Sequence, residues 1–542
     1  MCMERLSQLI ETKVTSGDWK TIKVGQRGVH LSHLFFADDL ILFGQATPSQ
    51  ASLIHNIMQE FCTSSGHKVS QSKTKIFFSR STAPQVCRAI CDTLGYRKTS
   101  SLGKYLGVPL LTGRVTSATY SYIVDRIQAK LAGWKSQSLS LAGRFTLAKS
   151  VLASIPFYTM QSSLLPMSCL SKVEKIIRKF IWGYTSNRKG VSLIKWEELC
   201  QPISQGGGGL LSLESQNKAF LMKLIFKIYS EPDSLWVRVL RQKYVISDFG
   251  EVPKRARMSC LWRSLLKLWD DAHCHIKWIL GDGKHIRFWT DYWVSSHGPL
   301  KNISFSAISV NYRSRVICDF VDGNGSWNWD LFRHLLPLDV LHDISKVSIQ
   351  SAPQVYSCTW NLTANGKFTT RSAYRNIESL NWNSSNHIWA KLWKLPMAQR
   401  VKTFVWLLLK GRLLTNQERY RRKMTDDSSC SICQSDIESP DHVFKYCNMA
   451  SSVWEKVLPG DLRADFYSNS IQEWLDKVIQ SASLPSSWKV GFCLTCWKLW
   501  EVRNRKIFCD EMIHGAGVTA HIRSLAAHTQ FCFDKFSFLF KA

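Results

Sequence analysis

Four residues within an eighteen-residue run do most to limit how this chain can fold. In "CSICQSDIESPDHVFKYC", Cys430, Cys433, His442 and Cys447 follow the spacing C-x2-C-x8-H-x4-C. Three thiolates and one imidazole suit a closed tetrahedral Zn2+ site, and four protein ligands leave no open position, so the expected ion is structural. The competing reading is four unconnected residues in a chain with 17 cysteines. The polar stretch 434–441 offers little else to hold it, whereas zinc in small fingers supplies about 10–16 kcal/mol of apparent binding energy. Cys493 and Cys496 form a second C-x2-C, but inside an aromatic helical stretch, where buried packing is expected. "HCH" at 273–275 reads as local packing.

Charge narrows the partner. Lys and Arg total 70 against 41 acids, a net charge of +29 over 542 residues. That excess favours a polyanion, and nucleic acid first, because cations binding phosphates release counterions. RNA and DNA are therefore the expected partners. At 45% hydrophobic residues the chain can bury sizeable cores and is not of disordered composition. No window reaches the roughly eighteen apolar residues of a membrane span, and the first residues carry no secretory signal. The thiols are then expected to be reduced in an intracellular protein, in nucleus or cytoplasm, with no membrane partner.

"LSHLFFADDLILFG", residues 31–44, sets two adjacent acids between apolar runs. The pattern predicts strands at 33–37 and 40–43 joined by a tight turn. Asp38 and Asp39 are then a plain turn, or carboxylates of a polymerase-type Mg2+ site at the hairpin tip. Two-metal catalysis needs shared carboxylates, while adjacent strand residues project to opposite faces, so a second carboxylate must come from another strand. The acids before Asp38 are Glu4, Glu11 and Asp18. The first two read as helical and the third as a turn residue. None reads as a buried strand acid.

Further strands are expected at 20–24 and 75–78, and helices at 50–62 and 84–95, giving a small antiparallel sheet with helices packed on it. From about 115 the pattern turns helical, with stripes at Ile123, Ile127 and Leu131, then Leu141, Phe145, Ala148 and Leu152. In a third helix Val173, Ile176, Ile177 and Phe180 face inward. Lys172, Lys175, Arg178 and Lys179 lie elsewhere on it, as a solvated face or a phosphate-tracking one. "SQGGGGLLS" at 204–212 lacks the Lys-Ser/Thr of a phosphate loop and reads as a hinge or tight packing site. "ERYRRK" at 418–423 sets Arg419, Arg421, Arg422 and Lys423 around Tyr420, which suits single-stranded nucleic acid or a solvated helix end equally.

Several blocks resemble a known family in the family's order. "CMERLSQLI", "HLFFADDLILFG", "FCTSSGHKVSQSKTKIFFS" and "KYLGVPL" look like the second half of a reverse transcriptase from plant non-LTR, LINE-type retrotransposons. The resemblance implies that Asp38 is a catalytic Mg2+ ligand with Asp39 beside it. It also implies that Lys73 acts near the phosphates of an incoming nucleotide. His67, Val69 and Ser70 depart from the family's motif around that lysine. "YLGVP" looks like the primer-grip hairpin, and residues 131–158 resemble the thumb helices. Residues 385–456 resemble the zinc-binding domain that follows such enzymes, and "WKLWEVRNRKIF" resembles the linker before a ribonuclease H domain. The family's fingers, first catalytic aspartate and template-positioning glycine motif have no counterpart in this sequence, nor has the ribonuclease H domain.

The expected fold is an α+β partial polymerase palm (1–114) with a helical thumb and connection (115–230). A Trp-rich connection of unassigned fold (231–384), a mainly helical zinc-binding domain (385–460) and a helical tail (461–542) follow. The expected function is that of a reverse-transcriptase remnant, inactive alone, with structural Zn2+ and only ancestral Mg2+. The alternatives are a non-catalytic, zinc-dependent RNA/DNA-binding protein and a translated relic.

Overall fold

Proline and glycine punctuate the first helices. Thr47 caps the Pro48–Ser65 helix by accepting the Gln50 N–H at 3.3 Å, and Pro48 occupies the first turn, where no N–H is needed. Gly66 ends the helix at φ +73°, donating its N–H to Cys62 O at 2.9 Å. The Pro84–Leu94 helix repeats the device with Gly95 at φ +72°. A computed structural model describes residues 2–525 and 527, apart from 26–27, 111–114, 135–137, 185–189, 245–257, 295–296, 348, 350–356, 383–386 and 512–516. It divides into two units, each drawn from three stretches of chain.

The first unit takes Met1–Tyr120, Tyr158–Pro166 and Gln216–Ile377. Its opening core is Leu6 and Ile10 of the Cys2–Thr15 helix, Trp19, and Ile57 and Phe61 of the Pro48–Ser65 helix. The His33–Phe36 and Asp39–Leu42 strands lay Phe35, Leu40 and Leu42 against that core. Strands form at four expected places, Ile22–Val24, His33–Phe36, Asp39–Leu42 and Lys75–Phe77, and also at Val29–Leu31 and Arg97–Thr99, where composition does not predict them, but not as one antiparallel sheet. Among the described residues of this opening part they form four separate two-stranded ladders, one of them parallel. The strands are two to four residues long. The parallel pair, Lys75–Phe77 with Arg97–Thr99, is possible because the Pro84–Leu94 helix provides the crossover.

The Trp-rich stretch is organised by rings rather than by long periodic elements. Phe288 stacks on Phe320 at 4.1 Å between centroids and meets Phe332 at 4.8 Å, while Trp293 stacks on Trp327 at 5.5 Å. Phe320 sits on a single 3-10 turn, Ile317–Phe320, and Phe332 directly follows another, Trp329–Leu331. One antiparallel ladder pairs Ile276–Ile279 with Ser357–Trp360.

The second unit takes Ser121–Phe157, Met167–Ser215 and Glu378–Ala542. The Leu141–Leu147 helix runs into a π turn, Ala148–Leu152, and buries Phe145, Ala148 and Leu152. Phe145 meets Trp406 edge-on at 5.9 Å. Trp406 lies in the Gln399–Leu409 helix, which is apolar and buried almost all round. The glycine loop is a packing site: a Cβ on Gly206 would lie 2.5 Å from the Trp389 ring, and one on Gly207 2.0 Å from Gln201 O. Trp406 Nε1 donates to Gly206 O at 2.9 Å.

Candidate functional site

The chain folds tightly around the four Cys/His ligands. Cys430 N–H donates to Asp436 O, and Gln434 N–H returns to Cys430 O at 2.9 Å with Gln434 at φ +56°. That turn brings Cys433 back beside Cys430. A π turn, His442–Tyr446, then closes with Cys447 N–H on His442 O at 2.8 Å. Cys447 is also the N-cap of the Asn448–Val457 helix, where a thiolate gains from the helix N-terminus.

The ligand atoms of all four residues lie within 4.8 Å of one another. Cys430 Sγ and Cys447 Sγ are 3.9 Å apart, and Cys433 Sγ and His442 Nε2 3.3 Å. Zinc–sulfur bonds of about 2.3 Å imply tetrahedral edges of about 3.8 Å, so the donor set fits Zn2+. Cys430, Cys447 and His442 are buried. The Cys447 thiol holds Cys430 down, to about 4, while Cys430 and burial push Cys447 up. A bound metal would displace a thiol proton from this pair. On the far side of the imidazole, His442 Nδ1 stands 3.7 Å from Asp436 Oδ2. A carboxylate there favours the tautomer that leaves Nε2 for the metal.

The loop between Cys433 and His442 has more to hold it than its polarity suggests. Glu438 is fully buried, and its Oε1 accepts Arg503 Nη2 at 2.6 Å, Arg503 Nε at 3.1 Å and the Asn416 N–H at 2.7 Å. Asp441 Oδ1 accepts the Ile471 N–H at 2.7 Å. Lys445, also buried, donates to the carbonyls of Phe466 and Asn469. The expectation that zinc alone would order this loop is therefore corrected: the Ser486–Cys509 helix and the chain at 466–471 brace it too. Glu438, Lys445 and Arg503 escape a sequence search because charged residues are almost never fully buried.

Asp38 and Asp39 sit at the tip of the hairpin. Phe36 pairs with Asp39, leaving Ala37 and Asp38 as the turn, with Ala37 at φ +52°. Both acids are exposed and, among the described residues, have no ion-pair or side-chain hydrogen-bond partner. Among those residues the Cys3His set is the one group of three or more His, Cys, Asp or Glu donors close enough to share an ion. Asp18 is held instead by Ser16 and Lys13, at 2.9 and 3.3 Å. Lys73 is exposed in the turn that follows Ser70. "HCH" belongs to no metal group: His275 Nε2 is bonded to Asn376 Nδ2 at 2.9 Å. Cys493 and Cys496 are fully buried.

Two stretches match family profiles. Residues 1–110 match "Reverse transcriptase (RNA-dependent DNA polymerase)", and residues 368–454 match "zinc-binding in reverse transcriptase". An Arabidopsis thaliana protein provisionally named a ribonuclease H protein is 32% identical over 418 residues, covering 74% of this chain and 66% of that protein. An uncharacterized mitochondrial protein of Arabidopsis thaliana is 30% identical over 149 residues, 27% of this chain and 97% of its own length. The chain carries a reverse-transcriptase segment and a reverse-transcriptase zinc-binding domain. Its zinc-binding domain holds the Cys3His cluster, and its reverse-transcriptase segment holds the Asp-Asp hairpin, Lys73 and the Lys104–Pro109 hairpin. The chain thus spans just under two thirds of the first of these relatives.

The basic residues are placed unevenly. In the Met167–Ile181 helix Lys172, Lys175 and Lys179 are exposed, while Val173, Ile177 and Phe180 are buried. Ile176 and Arg178 are half-buried, and the Arg178 guanidinium lies over the Trp196 ring at 5.2 Å. In "ERYRRK", Glu418 clamps Arg421 and Arg422 at 2.7 and 2.6 Å, and the two guanidiniums, Arg421 first, hold its carboxyl down to about 2. Arg419 donates to Asn416 Oδ1 at 3.1 Å. Tyr420 remains 55% exposed, so its ring is accessible for stacking. Lys423 is exposed at φ +57°.

Proposed function

We propose that this chain descends from a plant LINE-type, non-LTR retrotransposon, binds RNA and DNA, and does not itself polymerise. The ancestral reaction is RNA-directed DNA synthesis with Mg2+ and deoxynucleoside triphosphates. The proposed division is a palm segment at 1–114, thumb at 115–230, connection at 231–384, zinc-binding domain at 385–460 and tail at 461–542. Zn2+, held by Cys430, Cys433, His442 and Cys447, supplies structural cross-linking. Lys172, Lys175 and Lys179, with Tyr420 and the arginines beside it, are the proposed contacts to phosphates and bases.

The observation that carries nucleic-acid binding is the net charge of +29 on a chain with a reverse-transcriptase segment. The absence of catalysis is supported by the carboxylates. Two-metal chemistry needs acids that bridge the ions, and Asp38 and Asp39 have no third ligand among the described residues. No productive Mg2+ site is assigned to them. Titrating labelled RNA with the purified chain over a salt series tests the binding reading. The expected result is an affinity whose logarithm falls linearly with log salt and which is lost when zinc is chelated. Salt-insensitive binding, or none, contradicts it.

A further inference from the structure

The parallel ladder of the first unit carries a charge arrangement that costs stability. Lys75 stands opposite Arg97, Ile76 opposite Lys98, and Phe77 opposite Thr99. Alternation puts Lys75, Arg97, Phe77 and Thr99 on one face, with strands about 4.8 Å apart. On that face Lys75 and Arg97 are exposed and Phe77 is 43% exposed, whereas Ile76 on the other face is half-buried. Like charges directly opposite each other destabilise a strand pair. Among the described residues neither Lys75 nor Arg97 has an ion-pair or side-chain hydrogen-bond partner to offset this. The surrounding sequence deepens the imbalance: from Gly66 to Tyr105 there are eight Lys and Arg and one acid, Asp92.

We propose that this face is a binding site for single-stranded nucleic acid, with Lys75 and Arg97 on phosphates and a base stacked on Phe77. The inference rests on the nucleic-acid-binding reading above and adds a site that reading does not name. An unpaired cross-strand pair of cations complements a phosphate backbone. An exposed ring two residues along the same strand face, opposite Thr99, offers a stacking platform. Stacking needs a base whose face is free, so a single strand fits and a closed duplex does not. Since phosphates and base faces are common to both polymers, single-stranded RNA and DNA should both bind.

The test uses the full chain, labelled oligouridylate and oligothymidylate, and a blunt duplex, by fluorescence anisotropy across a salt series. Both single strands should bind more tightly than the duplex. The double variant Lys75→Gln/Arg97→Gln should lower the slope of log affinity against log salt by about 1.4, at roughly 0.7 per lost contact on a single strand. It should also raise the unfolding temperature, because a repulsive pair is gone. Phe77→Ser should weaken binding roughly 5- to 150-fold while leaving the slope unchanged. Lys284→Gln/Lys346→Gln, which removes the same charge from lysines paired with Asp282 and Asp343, should leave the slope in place. Equal loss in both double variants, or equal competition by phosphatidylserine vesicles, overturns the proposed site. So does unchanged binding by the Lys75/Arg97 and Phe77 variants. Failure of the unsubstituted chain to bind any oligonucleotide overturns the nucleic-acid reading itself.

Discussion

Cys447 combines two positions, as a candidate zinc ligand and as the N-cap of the Asn448–Val457 helix. Cys447→Ala should therefore abolish stoichiometric zinc, measured by elemental analysis of the purified chain, and lower the unfolding temperature. Zinc retained at the wild-type level would contradict the assignment. A second residue-level consequence concerns pH. His273, packed edge-on to Tyr229 at 5.8 Å, is held by burial at about 4. Its folded value lies below the ordinary imidazole value of about 6.5, so the folded state prefers the neutral ring. That contribution is fully present above about 6.5 and is lost as pH falls toward about 4. Thermal unfolding followed from pH 7 to pH 4 (a window of about three units) should show a smaller loss for His273→Gln than for the wild type. Asp291, raised by burial to about 6, acts in the opposite sense. Its contribution is greatest at low pH and is lost as pH rises through about 6, so it partly offsets that of His273 over this window.

The Ser486–Cys509 helix is fastened to the zinc loop by the Arg503–Glu438 pair, whose side chains are 3% and 0% exposed. Removing one partner of a buried pair leaves an uncompensated charge and typically costs about 3–5 kcal/mol. Arg503→Met should thus destabilise the chain by about that amount in urea unfolding. Glu438→Gln/Arg503→Met should recover part of the loss, whereas equal destabilisation by both variants would remove the pair from the account. Elements of this kind were only partly legible in the sequence. The capped helices at Pro48–Ser65 and Pro84–Leu94, and the hairpin around Asp38, follow from periodicity and turn chemistry. The grouping of the four candidate zinc ligands follows from spacing. The burial of Glu438, Lys445 and Arg503 does not, because it depends on partners up to 89 residues away. The fold of the Trp-rich stretch stayed hidden for another reason: its core is made by rings on short turns, which leave no period of two or 3.6.

Across the whole molecule, the net charge of +29 supports the proposed polyanionic partner, and the lack of a third ligand beside Asp38 and Asp39 among the described residues supports the proposed absence of catalysis. Among the described residues no helix is long and apolar enough to cross a membrane. The zinc cluster lies in the second unit, and the Asp-Asp hairpin and the Lys75–Arg97 ladder in the first. Zinc chelation should therefore disturb binding surfaces of the second unit most directly. The central claim is that this chain retains nucleic-acid binding without polymerisation. A primer-extension assay on an annealed RNA template, with purified zinc-loaded chain, Mg2+ and the four deoxynucleoside triphosphates, tests it most directly. The account predicts a bound but unextended primer, unchanged by Asp38→Asn. Templated, Mg2+-dependent extension that Asp38→Asn abolishes would contradict it.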